Sequence, residues 1–165
     1  MILYFLRHGI AAEKPEWKGS DSDRPLTKEG IRKMKKAAKG MRGLGLEVNW
    51  ILTSPYRRAY HTAQIVAKEL KAVKNLRVAK TLAPDGDPKA LLRRLALDFR
   101  SWETVLLVGH DPYLSRMVGV LTGSPELLID FRKGGLCMLI SDSLTWGACA
   151  TLEWLLSPKI LKRLA

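Results

Sequence analysis

The stretch Met1-Ile2-Leu3-Tyr4-Phe5-Leu6-Arg7-His8-Gly9 decides the fold of this chain and the place of its functional site. Its apolar part, rich in aromatic and branched side chains, is typical of a strand buried on both faces of a parallel sheet. Gly9 ends the run too early for a helix and allows a sharp turn of the backbone. The strand therefore presents Arg7 and His8 at its carboxyl end, the edge where open parallel sheets bind ligands.

An arginine beside a histidine suits the binding and transfer of a phosphoryl group. The guanidinium fork of Arg7 can hold phosphoryl oxygens, and the imidazole of His8 can attack phosphorus. The pair alone leaves a second interpretation open, in which Arg7 is a surface charge and His8 a turn residue. Other parts of the chain have to decide between the two.

The rest of the sequence alternates between predicted strands and predicted helices, and it contains no internal repeat, linker or low-complexity tract. Further strands are predicted at residues 48–53, 76–82, 104–108, 136–141 and 147–154, with 76–82 near a sheet edge. Helices are predicted at residues 27–42, 55–70, 88–99 and 112–121, with Thr27, Ser54 and Asp111 as caps and Pro55 and Pro112 at first helical positions. This alternation predicts a three-layer α/β/α sandwich with a mostly parallel central sheet and an antiparallel pair near the C-terminus. At 165 residues we expect a single domain spanning residues 1–165.

Composition favours a cytoplasmic globular protein. Hydrophobic residues make up 47% of the chain and charged residues 27%, and no apolar run is long enough to cross a bilayer. The N-terminal apolar run lacks the features of a signal peptide. The only cysteines, Cys137 and Cys149, have no CxxC spacing and no nearby histidine, so a disulfide framework or a zinc site is not expected.

The formal net charge of +12 favours anionic partners such as phosphorylated substrates, acidic proteins or nucleic acid. We expect a solvated helix face to account for most of this excess, because the lysines of the predicted helix 27–42 lie off its apolar stripe. No RNA-binding or DNA-reading motif accompanies the charge, so nucleic acid is a minor alternative. A membrane partner is not expected.

Three predicted buried strands each end in a group that can bind an anion. Arg7 and His8 follow the first, Ser54 to Arg58 follow the second, and His110 follows 104–108. Because parallel strands bring these ends to one edge of the sheet, and because two helices are predicted to begin there, we expect one anion site. On the helical wheel Arg57 shares a polar face with His61 and points to solvent, so Arg58 is the better phosphate ligand.

Residues at these three strand ends resemble the motifs of the histidine phosphatase (phosphoglycerate mutase-like) superfamily: Arg7-His8-Gly9, Ser54-Pro55-Tyr56-Arg57-Arg58-Ala59 with Thr62-Ala63, and Val108-Gly109-His110. Within it the chain is similar to the small SixA-type phosphohistidine phosphatases, in Arg24-Pro25-Leu26-Thr27, the Gly86-Asp87 turn and Ser157-Pro158-Lys159. The resemblance covers residues 1 to about 160. It implies a nucleophile at His8, phosphate-clamping arginines at Arg7 and Arg58, and a second pocket histidine at His110. Arg24 matches a further basic residue near the pocket, Ser54 is expected to contact phosphate, and no metal or cofactor is implied.

The chain departs from the wider superfamily at the general acid, because the glutamate that many members carry after the third strand has no counterpart here. The remaining carboxylates are in turns or in the loop before Arg24: Asp21, Asp23, Asp85 and Asp87. A weak or missing acid suits a leaving group that departs easily, such as the imidazole of phosphohistidine. The sequence therefore predicts dephosphorylation of phosphohistidine in proteins. The alternatives are a phosphatase for small phosphomonoesters and a basic module that binds nucleic acid or acidic protein.

Overall fold

The opening stretch forms the first strand of the protein, β1 (Ile2–Arg7), in a computed structural model that describes all 165 residues. The other strands are β2 (Trp50–Thr53), β3 (Leu76–Val78), β4 (Thr104–Gly109), β5 (Leu136–Ile140) and β6 (Thr151–Leu156). The helices are α1 (Lys28–Gly43), α2 (Arg57–Glu69), α3 (Pro88–Asp98), α4 (Tyr113–Leu121) and α5 (Pro158–Leu161). The strands form one six-stranded sheet in the order β3-β2-β4-β1-β5-β6.

Helices cover both faces of the sheet. The sequence of β1 requires this, because its side chains are apolar on both faces of the strand. Leu3 and Phe5 of β1 belong to a core that includes Leu91 of α3 and Leu114 of α4. The intervening Tyr4 and Leu6 belong to a second core, with Met34 of α1, Ala63 of α2 and Leu161 of α5. Because successive side chains of a strand point to opposite faces, one short apolar run supplies both cores. The predicted three-layer α/β/α architecture is confirmed.

The pairing register of β1, β2 and β4 aligns the carboxyl ends of these three central strands at one edge of the sheet. β1 pairs with β4 in parallel, with Arg7 opposite Gly109. β2 pairs with the other side of β4 in parallel, with Thr53 opposite Val108. The residues that follow these strands therefore emerge side by side. β5 and β6 pair antiparallel beyond β1, and β3 lies at the opposite edge, as predicted.

Several element boundaries differ from the prediction. The strand predicted at 76–82 ends at Val78, because the chain turns into a short 3-10 helix, Lys80–Leu82, that buries Leu82. The helix predicted from Pro55 begins at Arg57, since the Ser54 hydroxyl accepts a hydrogen bond from the Tyr56 amide within a turn.

Two further elements also begin later than predicted, at Tyr113 rather than Pro112 and at Thr151 rather than residue 147. The chain before β6 is a loop in which Gly147 has a φ of 117°, a conformation that ends strand pairing. Trp146 is therefore a loop residue. No helix is both long and apolar enough to cross a membrane.

The helix α1 begins at the predicted cap, where the Thr27 hydroxyl accepts a hydrogen bond from the Gly30 amide at 2.9 Å. A Cβ at Gly30 would lie 2.0 Å from the carbonyl oxygen of Ile10, so only glycine allows this approach. The start of α1 thus packs directly against the segment that follows His8.

Candidate active site

Four polar side chains are buried together at the carboxyl edge of the sheet: His8, Ser54, Arg58 and His110. His8 follows β1, Ser54 follows β2, His110 follows β4, and Arg58 lies in the first turn of α2. The imidazole rings of His8 and His110 are 5.2 Å apart between centroids. Polar side chains buried in this number require partners, and the partners define the chemistry of the site.

Hydrogen bonds determine which nitrogen of His8 is free to react. Its Nδ1 lies 2.7 Å from the carbonyl oxygen of Gly9, which can only accept, so Nδ1 carries the proton. The Gly9 amide donates to the hydroxyl of Thr62, which in turn donates to the carbonyl oxygen of Arg58. This chain of bonds holds the His8 ring in place with Nε2 as the nitrogen that carries no proton.

His8 is neutral at physiological pH. Its pKa is lowered to about 3, mainly by burial and to a smaller degree by the nearby His110, Arg58 and Arg7, which together outweigh the opposing effect of the Gly9 carbonyl. A nucleophilic imidazole has to be unprotonated at the attacking nitrogen, so the environment keeps His8 in its reactive form.

Arg58 is 4% exposed and faces the site, whereas its neighbour Arg57 is exposed, as the helical wheel predicts. Its Nε donates to Nε2 of His8 at 3.2 Å. Its two terminal nitrogens donate to Asp21, one to the backbone carbonyl at 2.7 Å and one to the carboxylate at 3.0 Å. The guanidinium is thus anchored by Asp21 through its two terminal nitrogens, and its Nε–H points at Nε2 of His8.

Two buried polar atoms of the site have no hydrogen-bond partner, Nε of Arg7 and Nδ1 of His110. Arg7 is held by its Nη1, which donates to the carbonyl oxygen of Phe131 at 2.6 Å and lies 3.9 Å from the carboxylate of Asp111. An unpartnered buried donor is costly to maintain, so these atoms indicate a site built for an anion.

The hydroxyl of Ser54 contacts His110. It lies 2.8 Å from Nε2 of His110 and accepts the Tyr56 amide, and the side chain is fully buried. A direct contact of Ser54 with phosphate stays a prediction. If the hydroxyl proton goes to Nε2, the proton of His110 stays on Nδ1, the unpartnered atom. Burial first, and Arg58 second, lower the pKa of His110 to about 3, so the ring is a neutral donor.

The candidate acids differ in their surroundings. The carboxylate of Asp21 accepts hydrogen bonds from Arg58 and from Nε of Arg24, the latter at 3.0 Å. Burial raises the pKa of Asp21, but the two arginines have the larger combined effect, so the pKa is lowered. Asp23 accepts from the Ser20 hydroxyl, and Asp87 caps α3 by accepting from the Lys89 amide. None of these three carboxyl groups is placed as a protonated acid against His8.

Arg24 is linked to the site through Asp21 and is fixed by a second bond from its Nη1 to the carbonyl oxygen of Ala12 at 2.8 Å. The structure therefore places Arg24 behind Asp21 rather than against His8. A direct phosphate contact of Arg24 stays a prediction.

Sequence reasoning did not anticipate three parts of this site: the Asp21 anchor of Arg58, the Thr62 link to Gly9, and the Phe131 carbonyl that holds Arg7. From the sequence, Asp21 is predicted only as a candidate proton donor. A threonine one helical turn after Arg58 was a usable signal, because its hydroxyl can reach the carbonyl four residues earlier. Phe131 lies in an irregular segment and gave no signal.

The lowered histidine pKa values predict that stability falls in mild acid. Each imidazole titrates near its ordinary value of 6.5 when unfolded but near 3 when folded, so the unfolded chain binds more protons between these values. The free energy of unfolding should therefore drop by about 1 kcal/mol per imidazole between roughly pH 6 and 5, where most carboxylates do not yet titrate. Urea unfolding at both pH values, on the wild type and on a His8→Gln/His110→Gln variant, measures the difference.

The double variant should lose most of this pH dependence, whatever its absolute stability. A His61→Gln variant, which replaces a partly exposed histidine of α2, should keep most of it. An unchanged slope in the double variant would show that these two rings titrate normally.

Comparison with known proteins links this geometry to a family. The model of the histidine phosphatase superfamily (branch 1) matches residues 3–83. An uncharacterized protein of Picosynechococcus is 36% identical over 149 residues, covering 87% of each chain. The phosphohistidine phosphatase SixA of Escherichia coli is 30% identical over 163 residues, covering 98% of this chain and 97% of that one.

Solved structures show the same relationship. A protein histidine phosphatase SixA complexed with tungstate superposes with a TM-score of 0.84 at 27% identity, over 98% of this chain and 99% of that one. A phosphoserine phosphatase of Entamoeba histolytica shares the fold, with a TM-score of 0.73 at 17% identity over 97% and 98% of the two chains.

Proposed function

Because this chain belongs to the histidine phosphatase superfamily, it is a phosphatase, and we propose that it acts on phosphohistidine in proteins. We also propose that residues 1–165 form a single histidine phosphatase domain, since β1 and β6, from opposite ends of the chain, belong to one sheet. The catalytic roles below are part of the same proposal.

The reaction has two steps. In the first, Nε2 of His8 attacks phosphorus in line, the bond from phosphorus to the substrate imidazole breaks, and the phosphoryl group is carried on His8. In the second, water attacks the same phosphorus, releasing inorganic phosphate and restoring Nε2. The proton that the departing imidazole needs comes from solvent, since no protonated carboxyl group faces His8.

The charge on the transferring phosphoryl oxygens is stabilised by donors that are already in place. Nε of Arg58 faces Nε2 of His8, and the unpartnered Nε of Arg7 and Nδ1 of His110 supply two more. The Asp21 anchor of Arg58 keeps its fork from rotating between the two steps. Such preorganised donors need no rearrangement as charge develops.

The state of Asp21 is the observation that favours phosphohistidine over an alkyl phosphate. Asp21 is a candidate acid that contacts Arg58 of the site, yet its lowered pKa and its two arginine partners keep it ionised. An alkoxide leaving group requires a proton donor, whereas an imidazole leaves from phosphorus far more readily. A site without a strong acid therefore fits phosphohistidine. The E. coli relative is named for the same substrate.

Two peptides of identical sequence, one carrying phosphohistidine and the other phosphoserine at the same position, test this proposal. We expect kcat/KM for the phosphohistidine peptide to be higher by about 10²–10⁴, the usual worth of general-acid assistance. His8→Ala should remove turnover of both. Equal or faster turnover of the phosphoserine peptide would contradict the proposal and favour a general phosphomonoesterase.

A further inference from the structure

Two concave surfaces share the side chain of Trp146, and the first of them extends to His110. The first has a volume of about 160 Å³, and His110, Tyr113 and Arg116 also line it. The second has a volume of about 570 Å³ and lies between α3 and the loop before β6. We call the two together the Trp146 groove. It runs away from the site of phosphoryl transfer along the surface.

The outer part of the groove is apolar and open. It is lined by Leu92, Ala96 and Leu97 of α3 and by Leu144 and Trp146 of the facing loop. Leu97 is 84% exposed and Trp146 is 45% exposed, although the opposite face of α3 is packed in the core. Adjacent apolar exposure of this kind marks a binding surface.

The rim of the groove is basic. Lys89 and Arg93 line its outer part, and Arg116 lines its inner part. The ammonium group of Lys89 lies over the ring of Trp146, 5.2 Å from its centroid. The carboxylates near the groove are Asp87, at 4.0 Å from Arg93, and Asp111 in its inner wall. The net positive rim complements an acidic ligand, and the floor complements an apolar side chain.

The position of the groove distinguishes a polypeptide from a small molecule as its occupant. The phosphoryl group of the proposed substrate would bind at His8, whose ring lies 5.2 Å from that of His110, a residue that lines the inner end of the groove. We expect the substrate imidazole not to reach Leu97 in the outer part. A polypeptide substrate, which continues on either side of its phosphorylated residue, can reach the outer part of the groove while its phosphoryl group stays at His8. A small molecule cannot. The groove is thus continuous with the active site and larger than the chemistry alone requires.

We propose that the Trp146 groove binds the segment that flanks phosphohistidine in the substrate protein, through an apolar side chain on the floor and acidic side chains at the rim. This inference rests on the proposed function and specifies its substrate as a protein with an apolar and acidic flank. The groove supplies recognition only and takes no part in the transfer of the phosphoryl group.

Two exposed tryptophans of the chain provide a matched pair of variants. Trp146 lies in the groove with Lys89 over its ring, and Trp102 lies outside it, 72% exposed, with the guanidinium of Arg100 also 5.2 Å from its ring centroid. Trp146→Ala and Trp102→Ala therefore remove the same side chain and the same kind of cation contact. Leu97→Asp adds a charge at a position too exposed to affect folding.

The substrates are a phosphohistidine peptide with leucine and glutamate in its flanks, the same peptide with serine in their place, and phosphoramidate. We expect Trp146→Ala and Leu97→Asp to raise KM about tenfold for the leucine-glutamate peptide, the loss of a single contact of about 1.4 kcal/mol. Turnover of phosphoramidate should stay unchanged in Leu97→Asp, because Leu97 lines only the outer part of the groove, and Trp102→Ala should behave as the wild type.

Equal losses on the peptide and on phosphoramidate would overturn the inference, because they would show damage to the catalytic site. Equal KM values for the two peptides in the wild type would also overturn it. A wild type that hydrolyses phosphoramidate but neither phosphohistidine peptide would overturn the proposed function, and the groove inference with it. The proposed function survives the first two results.

Discussion

His8→Ala is expected to lower kcat by about 10⁴-fold or more, the scale seen when a covalent nucleophile is removed. The loss follows from the geometry of Nε2, the ring nitrogen of His8 that carries no proton, because the protonated Nδ1 donates to the Gly9 carbonyl. Without it, the oxygens of a bound phosphoryl group keep their donors but phosphorus has no attacking atom. Steady-state turnover of a phosphohistidine peptide measures the effect.

The covalent step has its own readout. Brief incubation with a labelled phosphodonor should label the wild type in a form stable to alkali but not to acid, and His8→Ala should stay unlabelled. His61 is the one histidine of the chain outside the pocket. The His61→Ala variant should therefore accept the label and hydrolyse substrate as the wild type does. Substantial turnover by His8→Ala, or an alkali-stable label on that variant, would show that another residue is the nucleophile.

Arg58→Ala is expected to lower kcat by about 10²–10³, the usual cost of removing one preorganised donor from a charged transition state. Its Nε lies 3.2 Å from the attacking nitrogen, so the same N–H meets the phosphoryl group as it transfers. Arg58→Lys should recover little of the lost kcat, because one ammonium group cannot make both contacts with Asp21 and also face His8. Turnover of both variants, measured at saturating substrate, checks the expectation.

Arg57→Ala is the matched control for charge. Arg57 precedes Arg58 in the chain and is exposed, so its removal changes the net charge equally but leaves the site intact. It should retain turnover close to the wild type. A comparable loss in both alanine variants would mean that general positive charge, rather than the placement of Arg58, supports the reaction.

The two predictions depend on different links in the same network. His8 is held through Gly9 and Thr62, whereas Arg58 is held through Asp21. Asp21→Asn separates positioning from acidity, because asparagine keeps an acceptor for Arg58 but has no proton to lose. The proposed positioning role of Asp21 implies that much of the activity remains in that variant.

The sequence by itself determined the layers of this protein and the edge at which its polar residues meet. The unbroken apolar run of β1 requires cover on both faces, and the alternation of strands and helices requires a largely parallel sheet. Helical periodicity separated Arg58 from Arg57, because neighbouring positions on a helix lie about 100° apart. These features are local, so they can be predicted from spacing alone.

The tertiary structure alone decided which atoms meet. The Ser54 hydroxyl turns to His110, the Asp21 carboxylate serves as an anchor between two arginines, and Trp146 lines a groove with α3. Asp21 and Trp146 lie in irregular segments whose paths have no period, and the contacts of Ser54 with His110 and of Asp21 with Arg58 join residues distant in sequence. Their partners depend on how the loops pack once the sheet has formed, which no local pattern encodes.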